Sequence, residues 1–177
     1  MQFVRIGDKV ISLAKVDRII KKALSMRAQG YSQKEIALQL NLERSFISRL
    51  ESLGQIRKGN RIAIVGFPVG NKGEVLSLAQ EKGIDFVFIL NDEERWSFIK
   101  EKDGINLFNE LLDIIKELQE FEVIIFMGSD MRAEVVESLL DGEVICLPLG
   151  QSPIRDDVIV DIDKLRQIID QVKLGGA

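Results

Sequence analysis

Arg61-Ile62-Ala63-Ile64-Val65-Gly66 sets four apolar residues in a row between a cation and a glycine. A strand with one wet face alternates apolar and polar residues. An unbroken apolar run belongs instead to a strand buried on both faces, as in a parallel sheet. Downstream the same kind of run returns, with helical stretches between. The pattern predicts a helix over 72–82 stopped by Gly83, a strand over 85–90, and a polar helix over 92–102 carrying Trp96 and Ile99. A longer helix is predicted over 106–120, with Leu107, Leu111, Ile114, Ile115 and Leu118 on one side. A strand over 123–127, a helix over 131–140 closed by Gly142, and a strand over 144–147 follow. A fifth strand over 158–162 and a last helix over 164–173, capped by Asp163, complete the series. Strands separated by helical crossovers imply a parallel sheet covered on both sides. The expected class is α/β, with a five-stranded, three-layer domain over residues 61–177.

Upstream of Arg61 the rhythm is different. Residues 2–12 read as a hairpin turning at Gly7-Asp8. Ser12 can cap a helix over 14–29 with the stripe Val16, Ile19, Ile20, Ala23 and Leu24, and Gly30 stops it. Then comes Ser32-Gln33-Lys34-Glu35-Ile36-Ala37-Leu38-Gln39-Leu40-Asn41-Leu42-Glu43-Arg44-Ser45-Phe46-Ile47-Ser48-Arg49-Leu50-Glu51. Its apolar positions Ile36, Ala37, Leu40, Leu42, Ile47 and Leu50 fit two short helices packed across a tight turn. Ala37 is small enough for close approach, and Asn41 tolerates a left-handed backbone. The second helix presents Glu43, Arg44, Ser45, Ser48 and Arg49 on its other side. That is a helix-turn-helix pattern, although a plain helical hairpin shares the apolar spacing. Charge favours the first. Residues 1–60 hold twelve Lys and Arg against five Asp and Glu, +7, while the rest of the chain stands at −11 within an overall −4. A basic module joined to an acidic body is the layout of a modular nucleic-acid binder.

On these residues, 32–51 resembles the helix-turn-helix of the Cro/repressor-like (Xre-type) DNA-binding regulators. Gln33 opens the first helix, Ala37 follows four residues on, and Asn41 stands at the turn where glycine is usual. Ile47 and Leu50 complete the signature, and Ile47-Ser48-Arg49-Leu50-Glu51 is a typical ending. The resemblance implies that double-stranded DNA is the partner and that Gln33 bonds a phosphate. The chemistry of the row points the same way. Arg44, Ser45, Ser48 and Arg49 would meet base edges or nearby phosphates, and Glu43 would accept from cytosine or favour its helix N-terminus. Lys34, with Arg57 and Lys58 in the connector 54–60, would add sequence-independent attraction. One motif touches few bases, so a homodimer reading two half-sites is expected.

Residues 61–177 suggest a Rossmann-like or flavodoxin-like layer, and in open α/β sheets ligands sit beyond the carboxyl ends of the strands. Residues suited to binding cluster there: Gly66, Pro68, Gly70, Asn71 and Lys72 after the first strand, Asn91 and Asp92 after the second. Gly128, Ser129, Asp130 and Arg132 follow the third, and Gly150 the fourth. All three prolines are expected in these loops. Gly66-Phe67-Pro68-Val69-Gly70-Asn71-Lys72-Gly73 is not a phosphate-binding P-loop, because its glycines are too close and no hydroxyl residue follows the lysine. It also lacks the Gly-x-Gly-x-x-Gly spacing, and a tight strand-to-helix turn explains it equally well. A phospho-receiver would need acids after the first strand, where Gly-Phe-Pro stands; Asp130 reads as an N-cap shared with Ser129.

The 177 residues contain no histidine, which excludes Ser-His-Asp triads and histidine-ligated zinc, and one cysteine, Cys146, which excludes an internal disulfide. No apolar run is long enough to span a bilayer, and the first residues lack a signal-peptide core, so a cytoplasmic location without membrane contact is expected. The cofactor stays unknown, no metal is expected, and no nucleophile motif suggests an enzyme. The expectation is therefore a sequence-specific regulator whose α/β domain dimerises, binds a small effector, or both. Two alternatives stay open: an enzyme-like nucleotide or metabolite binder tethered by its helix-turn-helix, and a module binding protein through its first helices.

Overall fold

A computed structural model describes residues 3–56 and 58–173. The chain divides into two compact units, Met1–Gln55 and Ile56–Ala177.

The first unit begins with an antiparallel hairpin of β1 (Phe3–Ile6) and β2 (Lys9–Ser12), in register Phe3↔Ser12 to Ile6↔Lys9. Gly7 turns it with φ +58°; Gln2, where the hairpin was expected to start, lies outside the described residues. Ser12 Oγ accepts from Lys15 N at 3.3 Å and caps α1 (Leu13–Ala28). Next come α2 (Gln33–Leu40) and α3 (Arg44–Leu53). Ser32 and Glu35 form a reciprocal capping box at the start of α2, and Asn41 ends that helix at φ +52°, ψ +50°. The core is small: Ala23, Met26, Ile36 and Ile47, with Ala37 and Leu40 against it. The stripe expected along α1 is therefore covered only toward its C-terminal end, and Val16, Ile19 and Leu24 are exposed.

A polar tie fastens the three helices. The Glu51 carboxylate on α3 accepts from the Arg27 guanidinium of α1 and from Gln33 Nε2 of α2, the latter at 2.9 Å. The Arg27 and then the Gln33 hydrogen bonds hold Glu51 below its ordinary value of 4.5. A carboxyl with a depressed folded-state pKa stabilises the fold above its unfolded value, and that stabilisation disappears as pH falls through the lowered value. Thermal melts followed by far-ultraviolet circular dichroism between pH 6 and pH 3 should show the first unit weakening toward the acid end. Glu51→Gln should make this dependence shallower, leaving the share that belongs to Glu35, which its bonds with Ser32 hold low.

The second unit is built on a four-stranded, fully parallel sheet in the order β4-β3-β5-β6. The strands are β3 (Ile62–Gly66), β4 (Phe86–Ile89), β5 (Val123–Ser129) and β6 (Glu143–Gly150). The helices are α4 (Lys72–Glu81), α5 (Asp92–Lys100), α6 (Gly104–Leu118), α7 (Asp130–Leu139) and α8 (Ile162–Val172). The central strands alternate between two cores. Ile62, Ile64, Val123, Ile125 and Met127 pack with α4 and α8; Ala63, Val65, Ile124 and Phe126 pack with α6 and α7. Both faces are dry, which is why these strands read as unbroken apolar runs. Hydrogen bonds fasten the chain where it enters this unit: Gly59 N donates to Val172 O at 2.9 Å, and Asn60 N donates to Glu122 Oε2 at 2.6 Å.

Three sequence expectations are corrected. The fifth strand over 158–162 is absent: Val158 bridges only Val69, Val160 is held through both its N–H and C=O by Asn71, and α8 already begins at Ile162. The cap of that helix is Asp161, which accepts from Lys164 N at 3.0 Å, rather than Asp163. Pro148 lies inside β6 and not in a loop, beside the register shift at Gly128/Ser129. An edge strand accepts it because one side of the strand needs no N–H. Among the described residues no helix is long and apolar enough to cross a membrane.

Candidate functional site

At the carboxyl ends of β3 and β4 the sheet runs out under α5, α6 and α7, leaving a cavity of about 300 Å³. Phe67, Phe88 and Leu90 contribute from the strand ends, Phe98 and Ile99 from α5, and Leu107 and Leu111 from α6. Its polar lining is Arg95 of α5 and Arg132 of α7. A second hollow of about 550 Å³ shares Arg95, Ile99 and Arg132 and adds Trp96, Pro153, Ile154 and Arg155. The two arginines thus stand where an apolar chamber meets a more open, polar one.

Their surroundings differ. Arg95 is only 7% exposed, yet it is satisfied: it pairs with Asp92 one helical turn back and donates to Ile154 O at 3.3 Å. Arg132 lies with Cζ 5.3 Å from the Phe67 ring centroid, and Phe67 meets Phe126 edge-on. Its Nη1 is buried without a hydrogen-bond partner. Burial, and secondarily the Arg95 charge, pull the Arg132 guanidinium below its ordinary value. Two cations and one paired carboxylate leave a net positive charge in a unit that is otherwise acidic.

Of the strand-end residues named from the sequence, only Arg132 lines either hollow. The others hold the fold. Gly66 and Gly128 let side chains lie where a Cβ would collide, with Met127 and with the Phe126 ring. Gly70 faces Ile159 and Asp157 across the loop, Pro68 is buried, and Asn71 clamps Val160. Lys72 is paired with Glu94 at 2.7 Å, and Asn91 forms a capping box with the same glutamate. Asp92 serves Arg95; its own N–H donates to Asp157 Oδ1 at 2.7 Å. Ser129 stands at the N-cap of α7 with its hydroxyl unpartnered, while Asp130 Oδ1 accepts from Met131 N and Ser152 N. The expected Ser129–Asp130 cap is thus a backbone clamp made by Asp130 alone. Gly150 ends β6 at φ +152°. The sequence contained part of the missed signal, since Phe67 directly follows the first expected strand and Phe88 lies within the second.

Cys146 is not placed for nucleophilic work. Burial, reinforced by its bond to Glu137, pushes the thiol up to about 12, so thiolate is scarce at neutral pH. Among the described residues no group of three acidic or sulfur ligands is placed to hold a metal ion.

The first unit carries the other candidate surface. Arg44, Ser45, Ser48 and Arg49 form an exposed row on α3, while Ile47 on the opposite side is fully buried. Glu43 precedes the helix without capping it and accepts from Ser45 Oγ at 3.2 Å. Gln33 is half-buried, its amide nitrogen on Glu51 and its oxygen 3.5 Å from Arg44 Nε. A shallow hollow of about 310 Å³ joins Arg27, Ser32, Gln33, Lys34 and Arg44 around the start of α2. Arg27 is already paired with Glu51, so Lys34 and Arg44 are the cations that bring positive charge to this helix start. Lys58 belongs to the second unit, and Arg57 lies outside the described residues.

The chain matches no protein-family model, no curated protein and no solved structure.

Proposed function

We propose that this protein is a cytoplasmic, sequence-specific DNA-binding transcriptional regulator, in which a helix-turn-helix domain (residues 1–60) precedes a Rossmann-like domain (61–177) that dimerises and holds a small effector. The observation that carries the reading is the α2–Asn41–α3 arrangement. A left-handed residue turns the chain, Ile36 and Ile47 lock the helices, and α3 turns Arg44, Ser45, Ser48 and Arg49 outward. Such a row is suited to base edges in the major groove, with Arg44 or Arg49 forked onto guanine. The cationic hollow at the start of α2 suits a backbone phosphate.

The acidic second domain repels DNA and leaves the basic end to bind. Its α6/α7 face supports pairing with a second copy. Ile105, Phe108 and Leu112 of α6 and Met131, Val135 and Leu139 of α7 are all exposed, Phe108 at 60%. The opposite α4/α8 face is laced with the ion pairs Lys82–Asp170 and Arg166–Glu81. A single helix-turn-helix reads too few bases for a specific site, so the occupant of the apolar face is a second chain bringing the second half-site. Sedimentation velocity should give a dimer for the wild type and a monomer for Phe108→Glu/Leu112→Glu, whose circular dichroism stays unchanged.

The reading as a whole is tested by fluorescence anisotropy with duplexes from immediately upstream of the coding sequence, against scrambled duplexes. A preference for the upstream DNA is expected, with affinity falling about 10³-fold between 50 and 200 mM salt if a dimer makes six phosphate contacts. Equal binding to both duplexes, or none at low salt, refutes the reading.

A further inference from the structure

We infer that the effector is a small amphipathic anion, its apolar tail in the cavity between α5, α6 and α7 and its carboxylate or phosphate head against Arg95, Arg132 and Arg155; this rests on the effector reading above. Four features converge on that class. The inner chamber, about 300 Å³, is walled by aromatic and aliphatic side chains, matching the small end of ligand pockets. Among the described residues the charged groups lining it are cations. Arg132 lines both hollows, and its buried Nη1 has no acceptor in the fold although buried polar groups are ordinarily paired, so no group of the protein competes with a ligand for that end of the guanidinium. Arg95 is held in place by Asp92 and Ile154 O, which fixes one guanidinium before any ligand arrives.

The outer hollow explains why the head is charged and the tail is not. Arg155 is exposed there, next to Arg95 and Arg132, and the paired Asp92 is the carboxylate that Arg95 engages. A ligand lying across both hollows keeps its anion in the wetter chamber with up to three guanidinium groups and buries its tail against Phe67, Phe88 and Phe98. A neutral ligand of the same shape would leave Arg132 unpaired. An anion without a tail would leave the inner chamber unfilled. Leu107 and Leu111 line this chamber from α6, the helix whose outer side carries Phe108 and Leu112. Filling the chamber therefore acts on the same helix that would meet the second copy.

Trp96 is the sole tryptophan, lines the outer hollow, and lies 5.4 Å from Arg95 Cζ, so its fluorescence reports on the site. The full-length protein would be titrated with 3-phenylpropionate and octanoate, with phenyl phosphate, with neutral 3-phenylpropanol, and with acetate and inorganic phosphate as heads alone. A saturable change with a tailed anion is expected, at least tenfold tighter than with the alcohol or either bare head. Comparing 3-phenylpropionate with phenyl phosphate identifies the preferred head. Arg132→Gln should weaken the best probe about tenfold or more, the loss typical of a charged hydrogen bond. Arg155→Ala, an exposed change that leaves folding alone, should weaken it several-fold, and Leu107→Phe should exclude long tails. Equal binding of anion and alcohol, no response to any tailed anion at millimolar concentration, or full affinity in Arg132→Gln would overturn the proposal. Repeating the operator titration with the best probe separates the two claims. Anion binding that leaves operator affinity unchanged keeps the site and removes its role as effector.

Discussion

Arg44→Ala/Arg49→Ala is expected to bring binding of the upstream duplex down to the level of the scrambled one, a loss of about 10³-fold or more. A bidentate arginine–guanine contact discriminates by about 1–3 kcal/mol, and a dimer presents each arginine twice. Specific binding ordinarily exceeds non-specific binding by about 10³–10⁷, so removing both contacts in both copies exhausts a modest margin. The change should not disturb the fold. Both side chains are exposed, and the one hydrogen bond at stake, Arg44 to Gln33 at 3.5 Å, is long. Surface replacements of this kind usually stay within about 0.5 kcal/mol. Lys34→Ala should act differently, weakening both duplexes alike and making the salt dependence shallower. The opposite assignment, uniform weakening by the arginine pair and selective weakening by Lys34, would exchange their roles.

Ile47→Ala should unfold the first unit and leave the second standing. Truncating a buried isoleucine costs about 2–5 kcal/mol, the upper part of that range where the site cannot collapse. Ile47 is fully buried among Ala23 and Met26 of α1 and Ile36 of α2, so all three of these neighbours belong to other helices. A unit of this size has only a few kcal/mol in reserve. Two signals separate the outcomes, because Trp96 sits in α5 and reads only the second unit, whereas far-ultraviolet circular dichroism reads both. In urea, the variant should start with less helical signal and show an unaltered Trp96 transition. A Trp96 midpoint that shifts with the circular dichroism would mean that the two units unfold together.

What could be read from the sequence was what is local or doubly buried. Ile62–Val65 and Val123–Met127 stand out as apolar runs because both faces of those strands are dry. Asn41 marks the end of α2 because the left-handed turn it tolerates is a local signal. The cavity was hidden because its chemistry depends on distant partners. Arg95 sits in a run of charged residues that reads as solvated, yet it is buried, paired with Asp92 and bonded to the carbonyl of Ile154, 59 residues on. The residues flagged at the strand ends are of the right types, but Asn71, Lys72 and Asn91 turn them on the protein itself. Val158-Ile159-Val160 has strand composition and still forms none, because Asn71 occupies the backbone groups of Val160. The helix cap two residues from its expected place reflects two aspartates competing for one role.

The borders of the sheet bear on how copies of this protein can meet. An open sheet edge is a template onto which another chain can hydrogen-bond, and proteins blunt such edges to avoid polymerising. Here one border is β4, four residues long, and the other is β6, which Pro148 interrupts with a residue lacking an N–H. Neither border offers a long, regular ladder for continuing the sheet into a neighbour. Association then falls to helical surfaces, and a contact made by the same patch on both chains closes on itself after two copies. The proline that sequence reading assigned to a loop thus favours a finite pair over a fibre.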